Sequence, residues 1–253
     1  MKKILLIGCS NLAQHHYIWQ KHLSQETINY PDDFNFYIHR YTDEIIKTKN
    51  LEIHQLSQPG AGNFYITGRL NEWLQDNGKP DYVYLQFSGL NRLDFALDPS
   101  LKILDQDMRC YRKTKNFNWT ISGGWHGSWR ANQYQKFFIN FYNAHSADNV
   151  ILQSLFSVAS AVNLLESQSI PYNWTFYYNV INPHNSIVEK DGKIQQFPFY
   201  LNTKNMLQNP HDFIFKNKLG LEDGCHFIDR GYDLWLETQK SKINFFSNKN
   251  IDK

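Results

Sequence analysis

Residues 3–10 read KILLIGCS, and they set the expectation for the fold. Four consecutive apolar residues followed by a glycine are typical of a strand buried on both faces of a parallel sheet. Residues 12–23 then place apolar side chains at the spacing of a helix. Ser10 therefore lies at a strand-to-helix turn, where helix-start amides stabilise developing negative charge on a substrate oxygen. Serine is also a favoured N-cap, so simple capping is the alternative role for Ser10.

The same order of strand, polar turn and helix recurs along the chain. Further strands are predicted at residues 34–40, 51–56, 82–87 and 174–181, and further helices after residue 63 and after Asp148. This alternation predicts an α/β fold with a doubly wound parallel sheet. Ligands of such sheets bind beyond the carboxyl ends of the strands. Ser10, Gly60 and Asn91 each follow a predicted strand, and we expect them to converge there.

The turn after the second of these strands contains two glycines, in the sequence QPGAGN at residues 58–63. A glycine loop that opens a helix can cradle a phosphate, but the chain lacks the Gly-Lys-Ser/Thr of a P-loop and the spacing of a dinucleotide fingerprint. Turn chemistry alone is the other interpretation. In either case Gly60 can bring a bare backbone N–H close to a ligand, because it has no Cβ.

Near the C-terminus, residues 223–226 read DGCH. An aspartate and a histidine three residues apart on one loop can point at one spot. The carboxylate of Asp223 then orients the imidazole of His226, which acts as a general base toward a nucleophile from elsewhere in the chain. A surface loop with an incidental histidine is the alternative for a motif this short.

Taken together, four short blocks make the chain resemble the SGNH (GDSL-like) hydrolases. That family has a nucleophilic serine after the first strand, a glycine after the second, an asparagine in a Gly-x-Asn-Asp loop after the third, and a C-terminal Asp-x-x-His. The corresponding blocks here are GCSN at 8–11, PGAGN at 59–63, GLNR at 89–92 and DGCH at 223–226. Their order and spacing match the family across nearly the whole chain.

The resemblance implies a three-layer αβα sandwich around a central parallel, flavodoxin-like sheet of about five strands. It implies a serine-dependent ester hydrolase in which Ser10 attacks the carbonyl, His226 moves the proton and Asp223 holds the imidazole. The oxyanion is bound by the amides of Ser10 and Gly60 and by the side chain of Asn91. No metal or cofactor is required.

Two positions depart from the family pattern. Cys9 stands where the family has an aspartate before the serine, and Arg92 stands where it has the last aspartate of the third block. Both change the electrostatics of the site. The third block also aligns without a gap, which puts Leu90 at the asparagine position and leaves Ser88 or Arg92 to replace its donor. Asn91 is preferred here.

The substrate expected from these features is a small-molecule or glycan ester carrying an O-acyl or O-acetyl group. Ser88, Arg92, Trp125 and His126 are weaker candidates for substrate contacts. The last two lie in the glycine-flanked stretch 122–130, which is either a lid, a sugar-stacking wall or a packed loop. An O-acyltransferase acting on a sugar hydroxyl uses the same residues, and a catalytically silent binding or structural protein keeps the fold without turnover.

Length and composition bound the domain organisation and the partners. With 253 residues, of which 42% are hydrophobic, the chain is expected to form one domain over residues 1–240, with a loop excursion at about 98–132 and a frayed tail at 241–253. The 26 basic and 24 acidic residues are spread without a basic run, which argues against nucleic acid as a partner. The apolar run at the N-terminus is too short for a signal peptide or membrane span, so a cytoplasmic protein is expected. The sequence carries no signal for the oligomeric state.

Cysteines and histidines complete the expectations. Three cysteines form no disulfide framework and no zinc motif, which favours a reducing compartment. Cys9 and Cys225 neighbour the proposed site, so alkylation there is expected to impede activity by crowding. His15, His16 and His22 have no clearly spaced carboxylate or thiol ligand and are predicted to be helix-surface residues rather than a metal site. Phe156 lies on the apolar stripe of the helix after Asp148 and is predicted to be core.

Overall fold

A computed structural model describes most of the chain. The described residues are 1–24, 44–48, 50–98, 100, 111–121, 135–145, 147–178, 180, 188–190, 193–196, 199–219, 229–243 and 245. The predicted strand at 34–40 lies outside them.

The described residues form eleven strands and six α-helices. In chain order these are β1 Lys2–Gly8, α1 Ser10–Ser24, β2 Glu44–Lys47, β3 Leu51–Gln55, α2 Asn63–Asn77, β4 Tyr82–Phe87, β5 Asp94–Leu97, β6 Tyr111–Lys113, β7 Asn118–Ile121, α3 Gln135–Ala144, α4 Ala147–Ser167, β8 Tyr172–Phe176, β9 Val188–Lys190, β10 Lys193–Gln196, β11 Phe199–Asn202, α5 Pro210–Lys216 and α6 Asp229–Gln239. A short 3-10 helix, Lys240–Lys242, follows α6.

The central sheet has five strands in the order β2-β3-β1-β4-β8. β1 pairs in parallel with β3 and β4, and β4 pairs in parallel with β8. These are the four strands expected to lie parallel in one sheet, and that prediction is confirmed.

An antiparallel edge strand corrects the expectation of an all-parallel sheet. β2 pairs antiparallel with β3, with Glu44 opposite Gln55 and Lys47 opposite Glu52. Only residues 48–50 separate the two strands, whereas a parallel pair needs a crossover of a dozen or more residues. The short connection therefore dictates a hairpin, and the sheet is mixed.

Each face of the central sheet carries its own hydrophobic core. Alternate residues of β1 belong to different clusters: Leu5 and Ile7 lie in one, Ile4 and Leu6 in the other. Apolar residues of α2 and α4 complete the first cluster, and those of α1, α5 and α6 complete the second. The continuous apolar run of β1 is thus explained, because both faces of the strand are buried.

The last parallel strand is shorter than predicted. β8 ends at Phe176, and Tyr177 and Tyr178 form a bend. The backbone N–H of Tyr177 donates to the Phe87 carbonyl at 2.7 Å, which ties the end of β8 to the end of β4. Ile181, the predicted end of this strand, lies outside the described residues.

Part of the stretch expected as a loop excursion is regular structure. β5, β7 and β6 form a three-stranded antiparallel sheet in that order. Trp119 of β7 is buried in the first cluster and packs against Gly68 of α2. If residue 68 had a Cβ atom, that atom would lie only 2.5 Å from Trp119 Cζ2, so the ring occupies the space of a side chain. This small sheet is therefore fixed to α2 by close packing rather than lying free of the domain.

The long helix α4 is apolar because it is a core helix. Its residues 149–167 are the one described segment long and apolar enough to cross a membrane, yet half of that segment is buried in the protein. Leu155, Val162 and Leu165 are fully buried against α2 and the sheet, as the periodicity predicts. Phe156 departs from the prediction, since 48% of it is exposed.

Beyond α6 the chain continues to pack. Ile243 is fully buried in the second cluster, and Phe245 packs against that cluster. The packed part of the chain thus reaches at least residue 245, and the remainder of the expected tail lies outside the described residues.

Candidate functional site

Three adjacent strands of the central sheet end at the same edge and carry polar loops there. β3, β1 and β4 are neighbours and run parallel, so their carboxyl ends lie side by side. Gly60 follows β3, Ser10 follows β1 and Asn91 follows β4. The Gln58 N–H donates to the Gly8 carbonyl at 3.0 Å and joins the first two loops just before the serine.

Ser10 is the first residue of α1. The carbonyl of Cys9 accepts the hydrogen bond of the Ala13 N–H at 3.1 Å, so Cys9 occupies the position that caps the helix. Ser10 therefore lies in the first helical turn, half-buried, and is not the N-cap residue. The backbone N–H groups that precede Ala13 have no carbonyl partner within the helix, and they form the positive end of the helix dipole, which favours an anionic oxygen nearby.

Gly60 occupies a turn that favours glycine. The Ala61 N–H donates to the Gln58 carbonyl at 3.1 Å, and Gly60 has φ of 80°. A proline followed by a residue with positive φ, closed by this hydrogen bond, is the arrangement of a type II turn. A side chain at Gly60 is unfavourable in this conformation, so the backbone approaches its surroundings without a Cβ.

A buried carboxylate accepts hydrogen bonds from backbone amides at the end of the same loop. Asp94, at the start of β5, accepts hydrogen bonds from the Gly62 N–H on Oδ1 and from the Tyr65 N–H on Oδ2, both at 3.1 Å. Asp94 is 2% exposed, and burial raises its pKa to about 7 although the two amides and the Arg92 guanidinium act in the opposite direction. No sequence pattern indicates this role, since Gly62 and Asp94 are 32 residues apart.

Ser88 supports the third loop instead of facing a substrate. Its backbone N–H and its hydroxyl both donate to Asn63 Oδ1, at 2.8 and 3.3 Å, and the residue is fully buried. Asn63 Nδ2 in turn donates to Ser154 Oγ at 2.8 Å. Asn63 thus joins the second and third loops to α4, and the polar character of Ser88, taken as a weak signal for substrate contact, is explained by this network.

Asn91 and Arg92 occupy the surface of the third loop. Asn91 is exposed, and its Oδ1 lies 3.1 Å from the position that a Cβ on Gly89 would take. Arg92 is half-buried, and its guanidinium donates to the Ala61 carbonyl at 3.1 Å. Arg92 thereby fastens the third loop to the glycine turn, which places a positive charge beside Gly60–Gly62.

Four predicted site residues lie outside the described residues. They are Asp223, His226, Trp125 and His126. The described chain resumes at Asp229, the first residue of α6. Asp229 Oδ1 lies 3.1 Å from Nδ1 of His15, in the helix that begins with Ser10. The start of α6 is therefore attached to α1.

The prediction that the histidines of α1 lie on the helix surface is wrong for His15 and His22. His15 is fully buried and stacks on Tyr232, with ring centroids 4.5 Å apart and an interplanar angle of 20°. His22 is also buried, and its Nε2 lies 2.6 Å from Asp233 Oδ1. The pKa of His22 is lowered because burial disfavours the charged imidazolium, and the opposing effect of the Asp233 carboxylate is smaller. Both histidines are buried because α6 packs over this face of α1. The side chain of His16 lies outside the described residues.

Tyr232 is the centre of a buried polar network that the sequence did not indicate. Its hydroxyl accepts from Trp19 Nε1 at 3.3 Å and from Gln86 Nε2 at 3.2 Å. Burial raises the pKa of the Tyr232 hydroxyl, which keeps it protonated at neutral pH. These bonds join α6, α1 and the end of β4 under the candidate site. The available signal was the polar Gln86 inside an otherwise apolar strand.

Cys9 lies in the second core cluster, and its side chain is fully buried. Alkylation of Cys9 therefore requires local opening of the protein. Cys110 and Cys225 lie outside the described residues.

The described part of the chain contains no group of three or more histidine, cysteine, aspartate or glutamate side chains placed to hold a metal ion.

Comparison of the chain with protein-family models, with curated proteins and with solved structures found no match.

Proposed function

We propose that the protein is a serine-dependent ester hydrolase of the SGNH type. Ser10 Oγ attacks the ester carbonyl and forms the new O–C bond while His226 accepts the hydroxyl proton. The tetrahedral intermediate collapses, the C–O bond to the alcohol breaks, and His226 returns the proton to the leaving alcohol. Water then repeats the sequence on the acyl-enzyme and releases the acid. Asp223 orients the imidazole throughout.

The observation that carries the proposal is the arrangement of the three loops. Ser10, Gly60 and Asn91 follow three neighbouring parallel strands at one edge of the sheet. The Ser10 amide belongs to a helix N-terminus, the Gly60 amide to a turn with positive φ, and the Asn91 side chain to an exposed loop. Two backbone amides and one carboxamide are the donors that stabilise an oxyanion in acyl transfer.

Chain connectivity supports the role of His226. Three residues of extended chain span about 11 Å, so His226 is within that distance of Asp229. Asp229 in turn contacts His15, five residues after Ser10 in the same helix. The proposed base therefore precedes by three residues a contact with the helix that begins at the proposed nucleophile.

The same proposal covers the finer architecture and the surroundings. Without the antiparallel edge strand β2, the sheet order is β3-β1-β4-β8. Numbered among the parallel strands alone, in chain order, this is 2-1-3-4. This is the beginning of the flavodoxin-like order. The two cores agree with a three-layer αβα sandwich. We place the protein in the cytoplasm, with a small-molecule or glycan ester as substrate.

A second histidine–carboxylate pair lies near Ser10 and has to be distinguished from the proposed one. His15 and Asp229 are hydrogen-bonded. However, His15 is fully buried beneath Tyr232, so its imidazole lacks the solvent access that proton transfer to a substrate requires. We assign His15 to packing and His226 to catalysis.

The test combines a fluorophosphonate probe with hydrolysis of an aryl acetate. The wild-type protein is expected to label at Ser10 and to turn over the ester. Ser10→Ala, His226→Ala and Asp223→Ala should each lower the acylation rate by several orders of magnitude, and their combination should cost no more. Asn91→Ala should cost about two to three orders of magnitude.

Ser24→Ala is the matched control, because Ser24 is a half-buried serine at the other end of α1. It should leave both activities unchanged. A folded wild-type protein with neither labelling nor turnover contradicts the proposal and favours a catalytically silent binding or structural protein. Labelling that survives in Ser10→Ala refutes the assignment of the nucleophile. Product formation that depends on an added glycan identifies transfer to a sugar hydroxyl.

A further inference from the structure

A groove of about 330 Å³ lies between α2, β5 and α4. We name it the Phe64–Phe156 groove after the two aromatic residues in its wall. Its other described lining residues include Arg92, Asp94, Val150 and Ser157. Its volume falls within the range of small-molecule sites, and its lining is that of such sites, mostly apolar with a few polar groups.

Two phenylalanines in this groove are exposed to an unusual degree. Phe64 is 49% exposed and Phe156 is 48% exposed, whereas the other described apolar residues of their helices are buried or partly buried. They come from different helices, α2 and α4, and line the same groove. Apolar side chains gathered on one concave surface are typical of a binding site, whereas isolated exposed ones need no explanation.

The groove adjoins the proposed oxyanion loop at one end. Arg92 lines the groove and donates to the Ala61 carbonyl, one residue after Gly60. Asp94 also lines it and accepts the Gly62 N–H. The wall of the groove and the glycine turn are therefore one hydrogen-bonded unit, and a ligand bound at the turn has the groove next to it.

The charges of the groove favour a ligand with one polar end. Among its described lining residues only Arg92 and Asp94 are ionisable, and both lie on the side next to the glycine turn. Asp94 has a pKa near neutral because it is buried, so its negative charge is weakened there. Away from this end the described lining is phenylalanine, valine, serine and glutamine. An unbranched apolar chain with its carbonyl toward Arg92 matches this distribution.

We propose that the Phe64–Phe156 groove binds the acyl chain of the substrate and makes the protein selective for esters of medium-length unbranched acids over acetate. The inference rests on the proposed ester hydrolysis for its kinetic test, but the binding of the chain can be measured without it. At about 30 Å³ for each non-hydrogen atom, the groove accommodates about ten atoms. Acyl groups of about six to eight carbons therefore fit it.

The kinetic test uses p-nitrophenyl esters from acetyl to octanoyl with the full chain. Each methylene that enters the groove should raise kcat/KM about fourfold, so hexanoyl should exceed acetyl by up to about 200-fold. Ser157→Phe should fill the groove and remove most of that preference. Ser157 lies in the groove on α4 and is half-buried.

Ser160→Phe is the matched control. It lies on the same helix, is exposed and lines no part of the groove. Each of the two serines donates its hydroxyl to the carbonyl four residues earlier, so the two substitutions remove the same local hydrogen bond. Ser160→Phe should keep the wild-type preference. Equal thermal unfolding of the two variants establishes that Ser157→Phe is folded.

Binding of octanoate by calorimetry separates the groove from the reaction. The wild-type and Ser160→Phe proteins should bind it, and Ser157→Phe should bind it at least tenfold more weakly. If acetyl and hexanoyl esters react equally well and octanoate does not bind, the groove assignment is overturned while ester hydrolysis stands. If octanoate binds with the expected variant pattern but no ester is hydrolysed, the groove assignment stands and the proposed function fails.

Discussion

Replacing Asp94 with asparagine tests the electrostatics of the loop that carries Gly60. The carboxylate of Asp94 is buried and holds the Gly62 and Tyr65 amides, and its pKa is raised from 3.8 to about 7. In the unfolded chain the same group titrates near its ordinary value. Between these two values the folded protein binds a proton that the unfolded chain has lost, so the free energy of unfolding falls as the pH rises. The contribution of Asp94 is fully present below pH 4 and is lost as the pH passes through about 7.

The size of this effect follows from the two pKa values. One unit of pKa difference corresponds to about 1.4 kcal/mol. From pH 5 to pH 8 the contribution of Asp94 should fall by about 2.6 kcal/mol. Asparagine is neutral throughout, so Asp94→Asn should lack this loss. At every pH the variant also places an amide group against one of the two backbone N–H donors, which costs about 1–3 kcal/mol.

The assay is urea unfolding of wild type and Asp94→Asn at pH 5, 6, 7 and 8. The free energy of unfolding of the wild type minus that of Asp94→Asn should decrease steadily from pH 5 to pH 8. Taking this difference removes the pH-dependent contributions that the two proteins share. Asp98→Asn is the control, because Asp98 is exposed and its hydrogen bonds to Ser100 lower its pKa. Asp98 is ionised in both states above pH 5, so the corresponding difference should stay constant. A constant difference for Asp94→Asn as well would mean that Asp94 titrates normally, and the reasoning about its burial would be wrong.

Two further predictions concern packing. Gly68→Ala should lower the free energy of unfolding by about 1–2 kcal/mol, since the Cβ meets the buried ring of Trp119 and the overpacking exceeds the gain in helix propensity. Gly231→Ala in α6 is its control: the nearest atoms lie 3.4 Å away, so this variant should be at least as stable as wild type in the same urea titration. Cys9 should react with iodoacetamide in the folded protein far more slowly than in urea, as followed by peptide mass spectrometry, because its thiol is buried. Cys9→Ala should keep most of the turnover, and rapid native alkylation of Cys9 or loss of activity in a folded Cys9→Ala protein would show that the thiol faces the site.

The sequence by itself determined the repeating order of strand, turn and helix. An uninterrupted apolar run predicts a strand buried on both faces, and β1 is such a strand. The helical spacing of apolar residues predicted α1, α2 and α4, and the Pro-Gly pair at residues 59–60 predicted a turn. These features are local: they depend on residues within one or two turns of each other, so a single chain reveals them. That Ser10 and Gly60 each follow a strand is indicated by the same patterns, whereas the pairing of those two strands is seen only in the structure.

Only the tertiary structure decided which of the polar residues hold the loops. The partner of Gly62 is Asp94, the partner of Ser88 is Asn63, and the partner of His15 is Asp229, which is 214 residues away. No periodicity relates such pairs, because their proximity arises from the packing of whole elements. For that reason His15 and His22 were predicted on the surface and are buried, whereas Phe156 was predicted in the core and is half exposed. Burial of a side chain depends on what packs over it, and the covering element is often far away in the sequence.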